Sequence, residues 1–124
     1  MAEVCYIDWH IHPFRADRWL AAWRPAAERA LAFGASSCTI SRSIDDPLLF
    51  RQTSTWRSRD DFERYWFSDE IAAIREEVMN YFNKPLLPSW HSIVMHTGAG
   101  AEVSEEAPPA PQEAAEAGAD AAAS

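Results

Sequence analysis

The hydrophobic pattern of this chain changes period along its length in a fixed order, and that order limits the folds open to it. From Val4 to His12 apolar and polar residues alternate: Cys5, Ile7, Trp9 and Ile11 fall on one side, Tyr6, Asp8, His10 and His12 on the other. Strict alternation marks a half-buried strand. Pro13 ends it. From about Arg15 to Phe33 the spacing becomes helical, with Leu20, Trp23, Ala27, Ala30 and Leu31 on one stripe and Arg18, Arg24, Glu28 and Arg29 mostly off it. Asp17 is the expected N-cap. Pro25 lacks an N–H and crowds the preceding turn, so a kink or break is expected there. Gly34 is a natural C-terminal stop.

Ser37 to Ser43 reads as a second strand and Leu48 to Trp56 as a third, with the turn signature Asp45-Asp46-Pro47 between them. The short link predicts a hairpin. Ser58-Arg59-Asp60-Asp61 has the character of a capping box and opens a short helix carrying Phe62, Tyr65 and Trp66. Ser68 caps a second segment, with Asp69 and Glu70 in its first turn, where the helix dipole favours anions. Ile71, Ile74, Val78 and Phe82 recur at helical spacing up to Lys84-Pro85, and Leu87 to Met95 reads as a last strand. The order β-α-β-β-α-β is that of an α+β, ferredoxin-like antiparallel sheet with helices on one face. The opposite face then needs a cover.

The chain has 124 residues and a net charge of −8. All of its Lys and Arg lie between Arg15 and Lys84, and every Trp, Tyr and Phe lies before residue 97. Residues 97–124 are rich in Ala, Pro and Glu and bear Glu102, Glu105, Glu106, Glu113, Glu116 and Asp120 without a base. Such a segment buries too little apolar surface to offset its ordering entropy. We therefore expect a domain over residues 1–96 and a disordered acidic tail over residues 97–124. The near-neutral body and acidic tail give no basic footprint for nucleic acid. No apolar run spans a bilayer, and the N-terminus lacks the basic start and cleavage site of a signal peptide. A cytoplasmic protein is expected. Cys5 and Cys38 fit neither a disulfide framework nor a metal motif and read as buried small residues.

The run from Phe50 through Trp56, Ser58, Asp61, Phe62, Tyr65, Trp66, Ser68 and Asp69, with Asp45-Asp46-Pro47 upstream, resembles the antibiotic biosynthesis monooxygenase family. In that family a strand ends in Trp, a polar capping turn follows, and an aromatic-bearing helix leads into a second helix opened by Ser. The resemblance implies a dimeric α+β barrel, in which two sheets of a homodimer meet face to face and supply the missing cover. It implies oxidation of a small aromatic or quinol-type molecule by O₂ without metal, flavin or haem, between the sheet and helices of one subunit. A non-catalytic dimeric module that binds small molecules on the same fold is the alternative.

By the same resemblance Gln52, Trp56 and Arg75 are the catalytic candidates. Gln52 stands where polyketide-tailoring members have Asn, and shares a strand face with Trp56 by the period of two. Arg75 stands where a helix Arg faces the pocket. Phe62 replaces a Tyr, so no phenol stands at that position. Trp9, Phe62, Tyr65 and Trp66 are the expected pocket walls. A haem-degrading member would need Asn, Trp and His where this chain has Ile7, Tyr65 and Arg75, so no haem ligand is evident. His10 and His12 project from one strand face, and in the ferredoxin-like order His91 lies on the neighbouring strand. His10 and His91 are candidates for a general base. A three-histidine metal site remains an option from strand adjacency, and no metal is expected.

Overall fold

The computed structural model describes residues 2–98. Nearly all of the expected acidic tail lies outside them. The chain divides into two units, Met1–Ser92 and Ile93–Ser124, and the first holds the fold. Its elements run β1 (Glu3–His10), α1 (Ala16–Arg29), β2 (Ala35–Arg42), β3 (Leu49–Trp56), α2 (Arg59–Trp66), α3 (Asp69–Glu77) and β4 (Ser89–Ser92), with 3₁₀ turns at Ala30–Phe33 and Met79–Tyr81. The sheet order is β2-β3-β1-β4, and every neighbouring pair is antiparallel. This is the expected ferredoxin-like sheet. No helix among the described residues is long and apolar enough to cross a membrane.

Register sorts the side chains into two faces, because residues directly opposite in an antiparallel pair point the same way. Ile7 pairs with Gln52 and Gln52 with Ile40; Cys5 pairs with Ser54 and Ser54 with Cys38. This face, with Trp9 and Phe50, lies under the helices. The other face carries Val4, Tyr6, Asp8 and His10 on β1 and Thr55, Thr53, Arg51 and Leu49 on β3. Asp8 and Arg51 form an ion pair across it, 2.8 Å at the shortest, and the Arg51 guanidinium lies 5.1 Å above the Tyr6 ring. This open face is largely polar.

Local chemistry explains most boundaries. Ser58 and Ser68 cap α2 and α3 by accepting hydrogen bonds from the Asp61 and Ile71 N–H groups. Gly34 takes φ 117°, the left-handed conformation that ends the 3₁₀ turn after α1.

Several expectations are corrected. Asp17 lies in the first turn of α1; Arg15 occupies the cap position without a side-chain bond. Pro25 does not break α1, which continues to Arg29. The carbonyl that Pro25 leaves unpaired belongs to Ala21, an exposed residue that water can serve. The buried stripe of α1 is Ala16, Trp19, Trp23, Ala26 and Ala27, whereas Leu31 is 56% exposed, because the shift to 3₁₀ geometry after Arg29 changes the period. β4 covers Ser89–Ser92 rather than Leu87–Met95. Pro85 and Pro88 offer no N–H before it, and its partner β1 begins at Glu3, which pairs with Ser92. β2 runs from Ala35 to Arg42, with an irregular register between Ala35 and Ser37.

Candidate functional site

The helix-facing side of the sheet carries an unusual load for a core: Trp9, Trp19, Trp23, Trp56 and Tyr65 are all fully buried, with Gln52 among them. β1 supplies Trp9, β3 supplies Gln52 and Trp56, and α1 supplies Trp19 and Trp23, spaced one turn apart so that both face the sheet. The Trp9 ring centroid lies 5.1 Å from that of Trp19, 4.8 Å from Trp23 and 5.0 Å from Phe82.

A neutral amide in such surroundings is costly unless it is bonded. Gln52 is bonded in full on its oxygen. Trp23 Nε1–H donates to Gln52 Oε1 at 2.8 Å and Trp9 Nε1–H donates to the same oxygen at 3.3 Å. The amide nitrogen donates to Cys38 Sγ at 3.6 Å, a weak contact. Two indole donors from different elements thus converge on one point in an aromatic box. Trp19 Nε1 is a further buried indole N–H, without a partner.

α2 closes the box. Phe62 and Tyr65 pack on Trp56, with centroids at 5.5 and 5.4 Å, and Trp66 packs on Trp23 at 5.9 Å. Trp56 Nε1–H donates to Ser54 Oγ at 2.8 Å. The Tyr65 hydroxyl donates to the Ala26 carbonyl at 2.6 Å. That carbonyl is free because the Ala30 N–H turns to Ala27 in the tighter 3₁₀ geometry. Burial pushes the Tyr65 phenol above its ordinary range, and likewise lifts the thiols of Cys5 to about 12 and Cys38 to about 11. All three groups are neutral near pH 7.

The structure therefore brings Gln52, Trp56, Trp9, Phe62, Tyr65 and Trp66 together. It does not bring Arg75 to Gln52. The Arg75 guanidinium lies 4.9 Å above the Trp66 ring and donates to the Trp66 carbonyl at 2.9 Å, so it reaches the amide only through Trp66 and Trp23. Partial burial draws its pKa down from the usual guanidinium range, and its Nε is buried without a partner.

The histidines are parted as well. His91 lies opposite Val4 on the open face and meets the Tyr6 ring at 5.1 Å. His10 is six residues further along β1, about 20 Å away at the rise of a strand. Strand adjacency holds, but register denies the three-histidine cluster, and no group of three or more His, Cys, Asp or Glu among the described residues is placed to hold a metal ion. His10 and His91 also stand across the sheet from the aromatic box.

Sequence reasoning missed the role of the two α1 tryptophans. Trp23 was legible as a core residue, but that its N–H meets Gln52 depends on the α1–β3 approach. The available signal was the i, i+4 spacing of Trp19 and Trp23 against a strand Trp and a strand Gln.

No family profile and no curated protein matches the sequence. Solved structures do match. A candidate antibiotic biosynthesis monooxygenase from Nitrosomonas europaea shares 18% identity at a TM-score of 0.71, over 78% of this chain and 94% of that one. Rv0793 from Mycobacterium tuberculosis shares 14% at 0.68, over 79% and 100%. A variant of SnoaB, a cofactor-independent oxygenase from Streptomyces nogalater, shares 11% at 0.66, over 77% and 95%. The chain thus has the fold of the antibiotic biosynthesis monooxygenase structures. At these identities the likeness speaks for the fold alone.

Proposed function

We propose that the protein oxidises a small aromatic or quinol-type molecule with O₂, without a cofactor, at the aromatic box that holds Gln52. The observation that carries this reading is the convergence of the Trp9 and Trp23 indole N–H groups on one buried oxygen. A substrate oxygen that takes the place of Gln52 Oε1 inherits two fixed donors in a dry aromatic box. Such donors stabilise an enolate or phenolate far better than water-exposed ones. The anion is the species that can pass an electron to O₂. For an activated ring methylene the balance is one O₂ consumed, one oxygen atom entering as the new carbonyl, and the other leaving as water with the two hydrogens. Trp56 and Phe62 supply flat walls. Arg75 acts as a positioning residue that holds Trp66 from outside.

Gln52 itself occupies the donor pair in the structure, so its side chain must swing aside for the substrate. The same fact supports a second reading, a binding module of this fold without turnover, because Phe62 offers no phenol and the cradle is already filled. An oxygen electrode with dihydroxy-aromatic and anthrone-type compounds separates the two. The first reading expects substrate-dependent uptake of one O₂ per methylene oxidised. Saturable binding of the same compounds with no uptake would establish the second instead.

A further inference from the structure

We propose a separate ligand site at the β4 edge of the sheet, a cleft for a small planar aromatic carboxylate. The cleft has a volume of about 360 Å³ and is lined by Glu3, Arg57, Arg59, Asp60, Trp90 and His91, among others. That volume falls in the range of small-molecule sites. It lies where β3 hands over to α2 and where β4 passes alongside.

The two arginines carry the argument. Arg57 and Arg59 stand two residues apart around the Ser58 cap, and neither side chain forms an ion pair or donates a hydrogen bond among the described residues. By contrast Arg29, Arg51 and Arg64 each hold a carboxylate. A guanidinium offers five donors in a planar fork suited to a carboxylate. Glu3 and Asp60 share the cleft without an ion pair to either arginine among the described residues, so no carboxylate claims its cations.

The aromatic preference comes from Trp90. The Arg59 guanidinium lies 5.0 Å over the Trp90 indole, and Trp90 is braced edge-to-face on Phe62 with centroids 5.2 Å apart. The guanidinium–indole pair offers an apolar and cationic surface on which a ring can lie while its carboxylate meets Arg57. Glu3 and Asp60 repel a polyanion, so the cleft selects a monocarboxylate over phosphate. The cleft lies outside the aromatic box, and Phe62 and Trp90 form the wall between them.

Calorimetric titration of the full chain with 2-hydroxybenzoate, its methyl ester and inorganic phosphate tests the proposal. The acid should bind at least about tenfold more tightly than either. An Arg57→Gln, Arg59→Gln double variant should lose that preference, while Arg18→Gln, an exposed helix change elsewhere, keeps it. Equal affinity for acid and ester, or an unchanged double variant, would overturn the proposal. The indole N–H resonances, assigned with Trp90→Phe, locate the ligand. A shift confined to Trp90 supports the cleft. A shift confined to Trp9 and Trp23 places the acid in the interior, which removes the cleft site and leaves the oxidation reading standing. Oxygen uptake without binding of the acid likewise removes only the cleft.

Discussion

Gln52 accepts from two indoles, and its removal shows what that costs. In Gln52→Leu the Trp9 and Trp23 N–H groups lose their acceptor inside an apolar layer, and each orphaned buried donor costs about 1–3 kcal/mol. We expect the variant to unfold in urea with a loss of about 2 kcal/mol or more; an unchanged midpoint would mean the indoles find other acceptors. The buried thiols give a second expectation. Cys5 and Cys38 ionise near 9.0 when the chain is unfolded, and at about 12 and about 11 when folded. The unfolded chain therefore releases their protons first as pH rises. Their contribution is full below pH 9 and is lost progressively as pH climbs towards the folded values. Denaturation midpoints measured from pH 8 to 11 should fall. A flat profile would mean the thiols are solvated. That Gln52 shares a strand face with Trp56 was legible from the period of two. Its partners were not, because they come from a strand and a helix whose approach is set by packing.

Among the elements, α2 closes the aromatic box, and two local devices hold it. Ser58 caps it, and Gly34 lets it come close. A Cβ at Gly34 would meet Asp61 Oδ2 at 3.1 Å, and φ 117° is a conformation that side chains resist. Gly34→Ala should therefore cost about 1 kcal/mol or more and loosen α2 against Phe33, whose ring lies 5.6 Å from that of Tyr65. Thermal melting checks the first part and amide exchange in α2 the second; an unchanged melt would show that the loop relaxes freely. Both serine caps and the Gly34 stop were legible in the sequence, because their chemistry is confined to a few neighbouring residues. The extent of β4 was not, because pairing length depends on where β1 begins. The continuity of α1 through Pro25 was not either, because it rests on a carbonyl that happens to face solvent.

For the whole molecule, the open sheet face is the unfinished surface. We propose that a second copy covers it. Tyr6, Asp8, His10, Thr53, Thr55 and Arg51 make this face polar, so the dimer should be sensitive to salt, since charged and polar contacts of this kind are screened. Sedimentation at micromolar concentration should show a dimer that shifts towards monomer at high salt; a monomer under all conditions would contradict it. The topology was legible because the alternation of periods admits few arrangements, whereas the polarity of the uncovered face followed only once register fixed which residues share it. If two indole donors hold the reacting oxygen, Trp23→Phe must slow the reaction. The change keeps an aromatic ring against Trp9 and removes the N–H that bonds at 2.8 Å. With circular dichroism showing a folded protein, kcat for O₂ uptake with an anthrone-type substrate should drop about tenfold or more, equivalent to ~1.4 kcal/mol of lost transition-state stabilisation. Uptake at the parent rate would mean that the Trp23 N–H does not hold the reacting oxygen.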